Sequence, residues 1–368
     1  MTAQASTSTG WIALARRTAS HRLFLDRHAE FWLGELHRTW SLAETRARVV
    51  AVVDETRDVK TFRLRPNRHW RGHRPGQYTA VTVEVDGVRV RRCYSISSAP
   101  GERLLSITVK RVPGGRVSGW LHDQVRPGHV IRLDPAAGDF VLPAPAPAGL
   151  LMLSGGSGVT PVMSMVRALA AAGSIRDLCF VHHAHGPDDV IFRAELEGLA
   201  GRHPGLRLVF CHGRLDEARL ARLVPDFAER ATLLCGPAGL MTRVEAMWEA
   251  AGAAGRLQLE RFTSPGPPRP APDDGGVRAV EVRLAGSGRA IAATTGRTLL
   301  EQLEQAGERP PHGCRIGICH TCRCRKHTGT VQNLLTGAIS SEEDEEIQIC
   351  VSVPRSDVEL HLQERSGM

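Results

Sequence analysis

No run of about eighteen or more apolar residues, the minimum for a spanning helix, occurs anywhere in this chain of 368 residues. The N-terminus also lacks a basic stretch followed by an apolar segment and a small-residue cleavage site, so a cytoplasmic location is expected rather than secretion. Basic helices and aromatic–basic repeats are missing too. The net charge of +8 is carried mostly by Arg spread along the chain. That pattern argues against a nucleic-acid partner and fits solubility or the attraction of an acidic partner. No internal repeat is found. Apolar and charged shares of 42% and 23% are those of ordinary globular domains, and the length suggests two or three of them.

Cysteine is present in moderation, nine residues, with only one C-x2-C pair. Zinc sites usually come as C-x2-C pairs or Cys/His sets, so zinc and a disulfide framework are the alternatives this single pair favours less. Cys93, Cys179, Cys211, Cys235 and Cys324 are scattered, as reduced thiols are. The other four fall in one pattern. Cys314, Cys319 and Cys322 read C-x4-C-x2-C, and Cys350 answers them after a long gap. That is the ligand spacing of a plant-type [2Fe–2S] cluster, a one-electron carrier at roughly −400 mV. Three thiolates come from one tight loop, and the fourth arrives from a separate element to close the site on the other iron. Gly313 and Gly317 lie between the ligands, where a backbone folding around sulfides needs positive φ or close approach. Cys324, two residues beyond Cys322, breaks the spacing and is the spare thiol.

Residues 1–44 are expected to be a helical extension packed on the domain that follows, with a docking or membrane-surface element as the alternative. From 45 to 145 the chain turns into short β-rich segments (47–55, 59–66, 77–85, 88–96, 104–111 and 129–135), separated by Pro75-Gly76, Asp86-Gly87 and Pro127-Gly128. Strands at this spacing predict a small antiparallel barrel. From 146 to 263, apolar strands at 149–156, 178–184, 206–212 and 231–237 alternate with helical stretches at 160–173, 192–200 and 238–252, which predicts a parallel α/β sheet. Residues 264–278 form a Pro-rich linker. The remainder, 279–368, reads as a small α+β module around the cysteine loop.

Chemistry-bearing patterns sit at the ends of these elements. Arg92, Tyr94 and Ser95 on one strand offer a cation for a phosphate, a ring for stacking and a hydroxyl for a ring nitrogen. Gly115 to Leu121 reads as a turn entering a helix, whose free amides bind phosphate oxygens. In the α/β region a buried strand runs into Gly155-Gly156-Ser157-Gly158-Val159-Thr160-Pro161. Thr160 is the expected N-cap there, and Pro161 the first helical residue. This is not the G-x-G-x-x-G of the Rossmann fingerprint. Cys235-Gly236-Pro237 ends another buried strand, at the carboxyl edge where open α/β sheets bind ligands.

RCYSISS, GRVSGWL, GGSGVTP and CGPAGLM, in this order, resemble the ferredoxin–NADP reductase superfamily over residues 45–368. With the C-terminal cysteine module, the chain is similar to three-domain reductases of oxygenases and desaturases. The resemblance implies an antiparallel β-barrel flavin domain, an α/β nicotinamide-nucleotide domain and a C-terminal β-grasp [2Fe–2S] ferredoxin domain. It implies that Arg92, Tyr94 and Ser95 hold the flavin, with the Val117 and Ser118 amides on its phosphates. Gly155, Gly156, Gly158, Thr160 and Pro161 would take the nicotinamide pyrophosphate, with Cys235, Gly236 and Pro237 beside the nicotinamide. Glu260-Arg261-Phe262 matches the end of the family's nucleotide domain, which places Phe262 near the flavin ring. Ser95, Cys235 and Phe262 are thus the candidates at the reacting centre. The G-x-x-S-x-x-L form at Gly115–Leu121 looks like the FAD branch rather than FMN.

The expected activity is electron transfer from NAD(P)H through FAD and a [2Fe–2S] cluster to a separate protein acceptor. Ala184-His185-Gly186-Pro187 leaves NADH against NADPH open. The N-terminal extension and the first barrel strands look like reductases of fatty acyl-CoA desaturases; P450 and ring-hydroxylating oxygenases are the other acceptors. A non-catalytic iron–sulfur redox sensor is a further class, and the intact Arg92, Tyr94, Ser95 and Gly155–Pro161 argue against it. The acidic run Glu342–Glu346 is read as a solvated turn, with docking of a basic partner as the alternative.

Overall fold

The computed structural model describes residues 38–85, 88–213, 215–262, 276–312, 317 and 322–362. Most of the expected N-terminal helical extension (1–37), the linker residues 264–275, and Gly313, Cys314 and Cys319 lie outside the described residues.

Six antiparallel strands build the first unit: β1 (Thr45–Thr56), β2 (Val59–Pro66), β3 (Tyr78–Val85), β4 (Val88–Ser95), β5 (Leu105–Lys110) and β6 (Val130–Leu133), in the order β4-β3-β6-β1-β2-β5. A bridge between Ile96, just past β4, and Ile107 on β5 brings the two edges together. Alternate residues point inward, as the two-residue period of a strand requires. Val49, Phe62, Leu64, Val81, Val83, Ile107 and Val109 fill the interior. Helix α1 (Arg116–Gln124) closes one side with Val117 and Leu121.

The second unit is a five-stranded parallel sheet of β7 (Leu150–Gly155), β8 (Leu178–Ala184), β9 (Leu206–His212), β10 (Ala231–Cys235) and β11 (Leu257–Glu260), ordered β11-β10-β7-β8-β9. Both faces are covered, by α2 (Val159–Ala171) and α3 (Arg193–Arg202) on one and by α4 (Glu217–Leu223) and α5 (Ala238–Ala250) on the other. This is why the central strand β7 is buried along its whole length and opens on the apolar run Leu150–Leu153. Helix α4 has no counterpart in the sequence reading. It is short and opens on Asp216, whose carboxylate accepts the Arg219 amide. The order of strands reverses between β7 and β10, so their carboxyl ends flank a switch-point crevice, the usual ligand position in open α/β sheets. Val59 and Phe140 of the barrel join the same apolar cluster as α2, and so link the two units.

The third unit sets β12 (Ala279–Leu284), β13 (Ala290–Thr294), β14 (Arg323–Thr328), β17 (Glu345–Gln348) and β19 (Val358–His361) in one sheet, ordered β13-β12-β19-β14-β17. A smaller sheet pairs β15 (Val331–Asn333) with β16 (Ile339–Ser340) and β18 (Ser352–Pro354). Helix α6 (Leu299–Gln305) crosses the main sheet and buries Leu299, Leu300 and Leu303. Its start is a capping box, with Thr298 and Glu301 satisfying each other's amides.

Candidate functional site

The β3–β4 hairpin presents the first set of residues. Arg92 faces Val81, Tyr94 faces Thr79 and Ser95 faces Tyr78 across the ladder. Arg92 and Tyr94 therefore share one face of β4. Arg92 donates to the Arg91 carbonyl at 2.8 Å, and burial pushes the Tyr94 phenol above its ordinary range, so it stays a neutral hydroxyl. Helix α1 starts beside this hairpin, where Arg116 donates to the Val85 carbonyl. Its N-cap, Gly115, supplies no side chain. A Cβ on Gly115 would come within 2.5 Å of the Ser118 hydroxyl. That hydroxyl folds back, accepting from the Val112 amide and donating to the Gly115 carbonyl. The first-turn amides, Val117 and Ser118 included, are left at the positive end of the helix dipole. A cation, an aromatic ring, a hydroxyl and an uncapped helix start suit the phosphates and ring of a flavin dinucleotide.

The nucleotide side is built by two loops that the sheet brings together. Gly155 to Gly158 leave β7, and Cys235 to Pro237 leave the adjacent β10, with Ser154 and Cys235 in register. The contact is tight at Gly158, where a Cβ would stand 2.1 Å from the Cys235 carbonyl oxygen. Gly156 has φ +51, and an added Cβ there would meet nothing within 4 Å, so its outer side is open. One expectation is corrected. Thr160 is not the N-cap and Pro161 is not the first helical residue. A 3-10 turn over Gly156–Gly158 winds straight into α2, which starts at Val159 with Gly158 as its cap residue. The Thr160 hydroxyl donates instead to the Ser157 carbonyl at 2.9 Å. Pro161 is third in the helix, within the first turn, where its missing N–H removes no intrahelical bond. No side chain caps this start. A missing cap costs about 0.5–2 kcal/mol, which burial of Val159, Val162, Met163, Met165, Val166 and Leu169, at about 1.5–3 kcal/mol each, outweighs. Packing thus holds the helix without a side-chain cap, and the Val159 amide is satisfied by the Gly156 and Ser157 carbonyls of the turn before it.

Cys235 is fully buried at the crevice, and burial, then the Glu260 carboxylate, push its thiol well above the ordinary value. It is a neutral thiol at neutral pH. Glu260 pairs with it across β10–β11. Burial, and then the nearby Asp139 carboxylate, raise the Glu260 carboxyl to about 7. In the sequence Glu260 stands only as part of the Glu260-Arg261-Phe262 motif; its position beside Cys235 adds a titratable group to the crevice. Arg261 is tied to Glu245, and half-buried Phe262 packs on the cluster that holds Cys235 and Phe140.

In the third unit the Cys322 and Cys350 sulfurs are 3.1 Å apart and buried. That exceeds a disulfide bond of about 2.05 Å and brings the two thiols to one place. The Ile349 amide donates to the Cys322 carbonyl, and the Gln348 side chain holds the Gly317 carbonyl at 2.7 Å. Gly317 has φ +77, a backbone conformation that favours glycine, and an added Cβ would also press on the end of the Leu335 side chain at 2.6 Å. Cys324 lies on β14 opposite Ile347, packed into the module core. The acidic run is engaged within the module: His327 holds Asp344, Arg323 holds Glu346, and the fully buried Lys326 holds both the Glu342 carbonyl and the Glu345 carboxylate.

Flavin, nicotinamide-nucleotide and [2Fe–2S] sites in one chain define an electron-transferring oxidoreductase. Residues 46–142 match the oxidoreductase FAD-binding domain, 152–246 the oxidoreductase NAD-binding domain and 282–355 the 2Fe-2S iron-sulfur cluster binding domain. The chain is 38% identical over 362 residues to an NADPH oxidoreductase of Mycobacterium tuberculosis, covering 96% of this chain and 93% of that one. It is 34% identical over 352 residues to the glycine betaine monooxygenase reductase subunit of Pseudomonas aeruginosa, covering 87% and 96%. Among solved structures, phthalate dioxygenase reductase is similar with a TM-score of 0.57 and 25% identity, over 86% of this chain and 97% of that one. The chain belongs to the ferredoxin–NADP reductase family, in its three-domain form with a C-terminal ferredoxin module. FAD, NAD(P)H and a [2Fe–2S] cluster are its cofactors. Among the described residues, no helix is long and apolar enough to cross a membrane.

Proposed function

We propose that this protein is the reductase component of an oxygenase system, drawing electrons from NADPH and delivering them one at a time to a separate oxygen-activating enzyme. The observation that carries this reading is the convergence of the Gly155–Gly158 and Cys235–Pro237 loops on one crevice, in a chain that also holds a flavin hairpin and a pair of facing cluster thiols. When bound, the cofactors supply the redox chemistry, turning a two-electron hydride into single electrons. The chain's residues bind and orient them. Arg92 and the Val117 and Ser118 amides would hold the flavin phosphates, Tyr94 its ring and Ser95 its ring nitrogen. Gly156 and the Gly-rich turn into α2 would hold the nicotinamide pyrophosphate, with Thr160 and Pro161 shaping that turn. Cys235 and Phe262 would exclude water around the reacting atoms, and Cys314, Cys319, Cys322 and Cys350 would ligate the cluster.

NADPH as donor is supported by the mycobacterial relative's name; the end of β8 offers His185 to a 2′-phosphate, with Asp188 and Asp189 in the turn that follows. An oxygenase as acceptor is supported by the names of the betaine monooxygenase and phthalate dioxygenase relatives. A fatty acyl-CoA desaturase as acceptor rests on sequence resemblance, chiefly in the N-terminal extension and first barrel strands. Reconstitution tests the choice. The purified protein, NADPH and a terminal oxygenase should give substrate oxidation coupled to NADPH use. Turnover with a desaturase and none with oxygenases would overturn it.

A further inference from the structure

Helix α2 carries two polar residues, one turn apart, that reach out of the nucleotide unit into the barrel. Ser164, fully buried, donates its hydroxyl to the Ser98 carbonyl at 2.6 Å. Arg167 donates from one terminal nitrogen to the Ser97 carbonyl at 2.5 Å. Its other two nitrogens grip Glu195 on α3 at 2.8 and 2.6 Å, and its guanidinium lies 4.9 Å over the Phe192 ring. A fork of this kind fixes direction as well as distance. The Arg167 side chain is only 15% exposed, so water competes weakly for these bonds.

Both acceptors lie at a telling place. Ser97 and Ser98 directly follow Ser95 and Ile96, on the chain leaving the flavin strand. They are rigid in the barrel: the Ser97 amide donates to the Ser106 carbonyl, its hydroxyl meets that of Thr108, and the Ser98 hydroxyl accepts the Ser106 amide. Nearby, a Cβ on Gly76 would stand 2.3 Å from the Phe140 carbonyl oxygen and 2.4 Å from the tip of Met165 of α2, so the end of that side chain packs against the barrel here.

We infer that Arg167 and Ser164 are positioning residues for hydride transfer: they tie the helix whose first turn seats the nicotinamide nucleotide to the segment that follows the flavin-holding strand, and so set the approach of donor to acceptor. The inference rests on the reading of the two binding sites above. Neither residue touches the reacting atoms. A hydride, two electrons and a proton, leaves the nicotinamide for the flavin only at short range, and a misplacement of about 1 Å can cost on the order of 100-fold.

The test uses the full chain loaded with FAD and cluster, mixed anaerobically with NADPH. Arg167→Ala should lower the limiting rate of flavin reduction by about 10- to 100-fold while the Kd for NADP+ changes by less than about threefold. Arg167→Lys should restore part of the rate, and Ser164→Ala should lower it several-fold. In the cofactor-free protein, amide hydrogen exchange at residues 97–99 should speed up in both alanine variants. A limiting rate equal to wild type in Arg167→Ala, with only thermal stability lowered, overturns the inference, because the residue then merely glues two units. A raised Kd with an unchanged limiting rate overturns it as well, assigning Arg167 to nucleotide binding. If Arg167→Ala fails to fold, Ser164→Ala decides by the same measurements. Failure of wild-type flavin to be reduced by NADPH is a separate outcome, which strikes the proposed function instead.

Discussion

Cys322 and Cys324 are two positions apart and meet different surroundings. Cys322 faces Cys350 at 3.1 Å, whereas Cys324 sits on a strand opposite Ile347 among apolar neighbours. Cys324→Ser should therefore keep the visible spectrum of the cluster, and Cys350→Ser should lose it or leave it unstable; iron and sulfide analysis with absorbance spectra checks both. Glu260 makes a second prediction. Its carboxyl is raised from an ordinary 4.5 to about 7, by burial first and Asp139 second. A raised folded-state value means that the folded protein holds this proton more tightly than the unfolded chain. Its contribution to stability is complete below about pH 4.5 and is lost as pH rises through 7. Thermal melts of wild type and Glu260→Gln should thus diverge across that window, the wild type losing ground with rising pH. Parallel profiles would show that Glu260 is not perturbed. The cysteine set was legible because ligand spacing is local in the chain. The state of Glu260 was not, because its burial and its neighbour Asp139 come from elements far away in sequence.

At the scale of elements, the start of α2 shows what local chemistry reads and what it misses. A Gly-rich turn before Thr160-Pro161 looked like a capped helix, and the helix is there, but it begins at Val159 because the 3-10 turn runs into it. What sets that geometry is the Cys235 carbonyl, which leaves room for nothing larger than glycine at 158. Gly158→Ala should cost about 1–3 kcal/mol by overpacking and weaken NADPH binding, measured by thermal melt and by titration of NADP+. Unchanged affinity would separate this turn from the nucleotide site. The short helix α4 escaped notice in the sequence because its seven residues span less than two full periods of amphipathic pattern.

For the whole molecule, alternation of strand and helix was visible in the sequence, and so was the order of the three units. Which strand lies beside which was not. Only the β7–β10 adjacency puts the Gly155–Gly158 and Cys235–Pro237 loops on one crevice, and only the docking of α2 on the barrel shows Arg167 reaching the flavin-side chain. These pairings are non-local, and no pattern along the chain announces them. The central claim is the path of electrons through the three sites. It is tested most directly by anaerobic rapid mixing with NADPH, following flavin and cluster absorbance together. Flavin absorbance should fall first and cluster absorbance after it, and protein stripped of flavin should leave its cluster oxidised. Cluster reduction by NADPH in flavin-free protein, or a loaded flavin that NADPH does not reduce, would contradict the account.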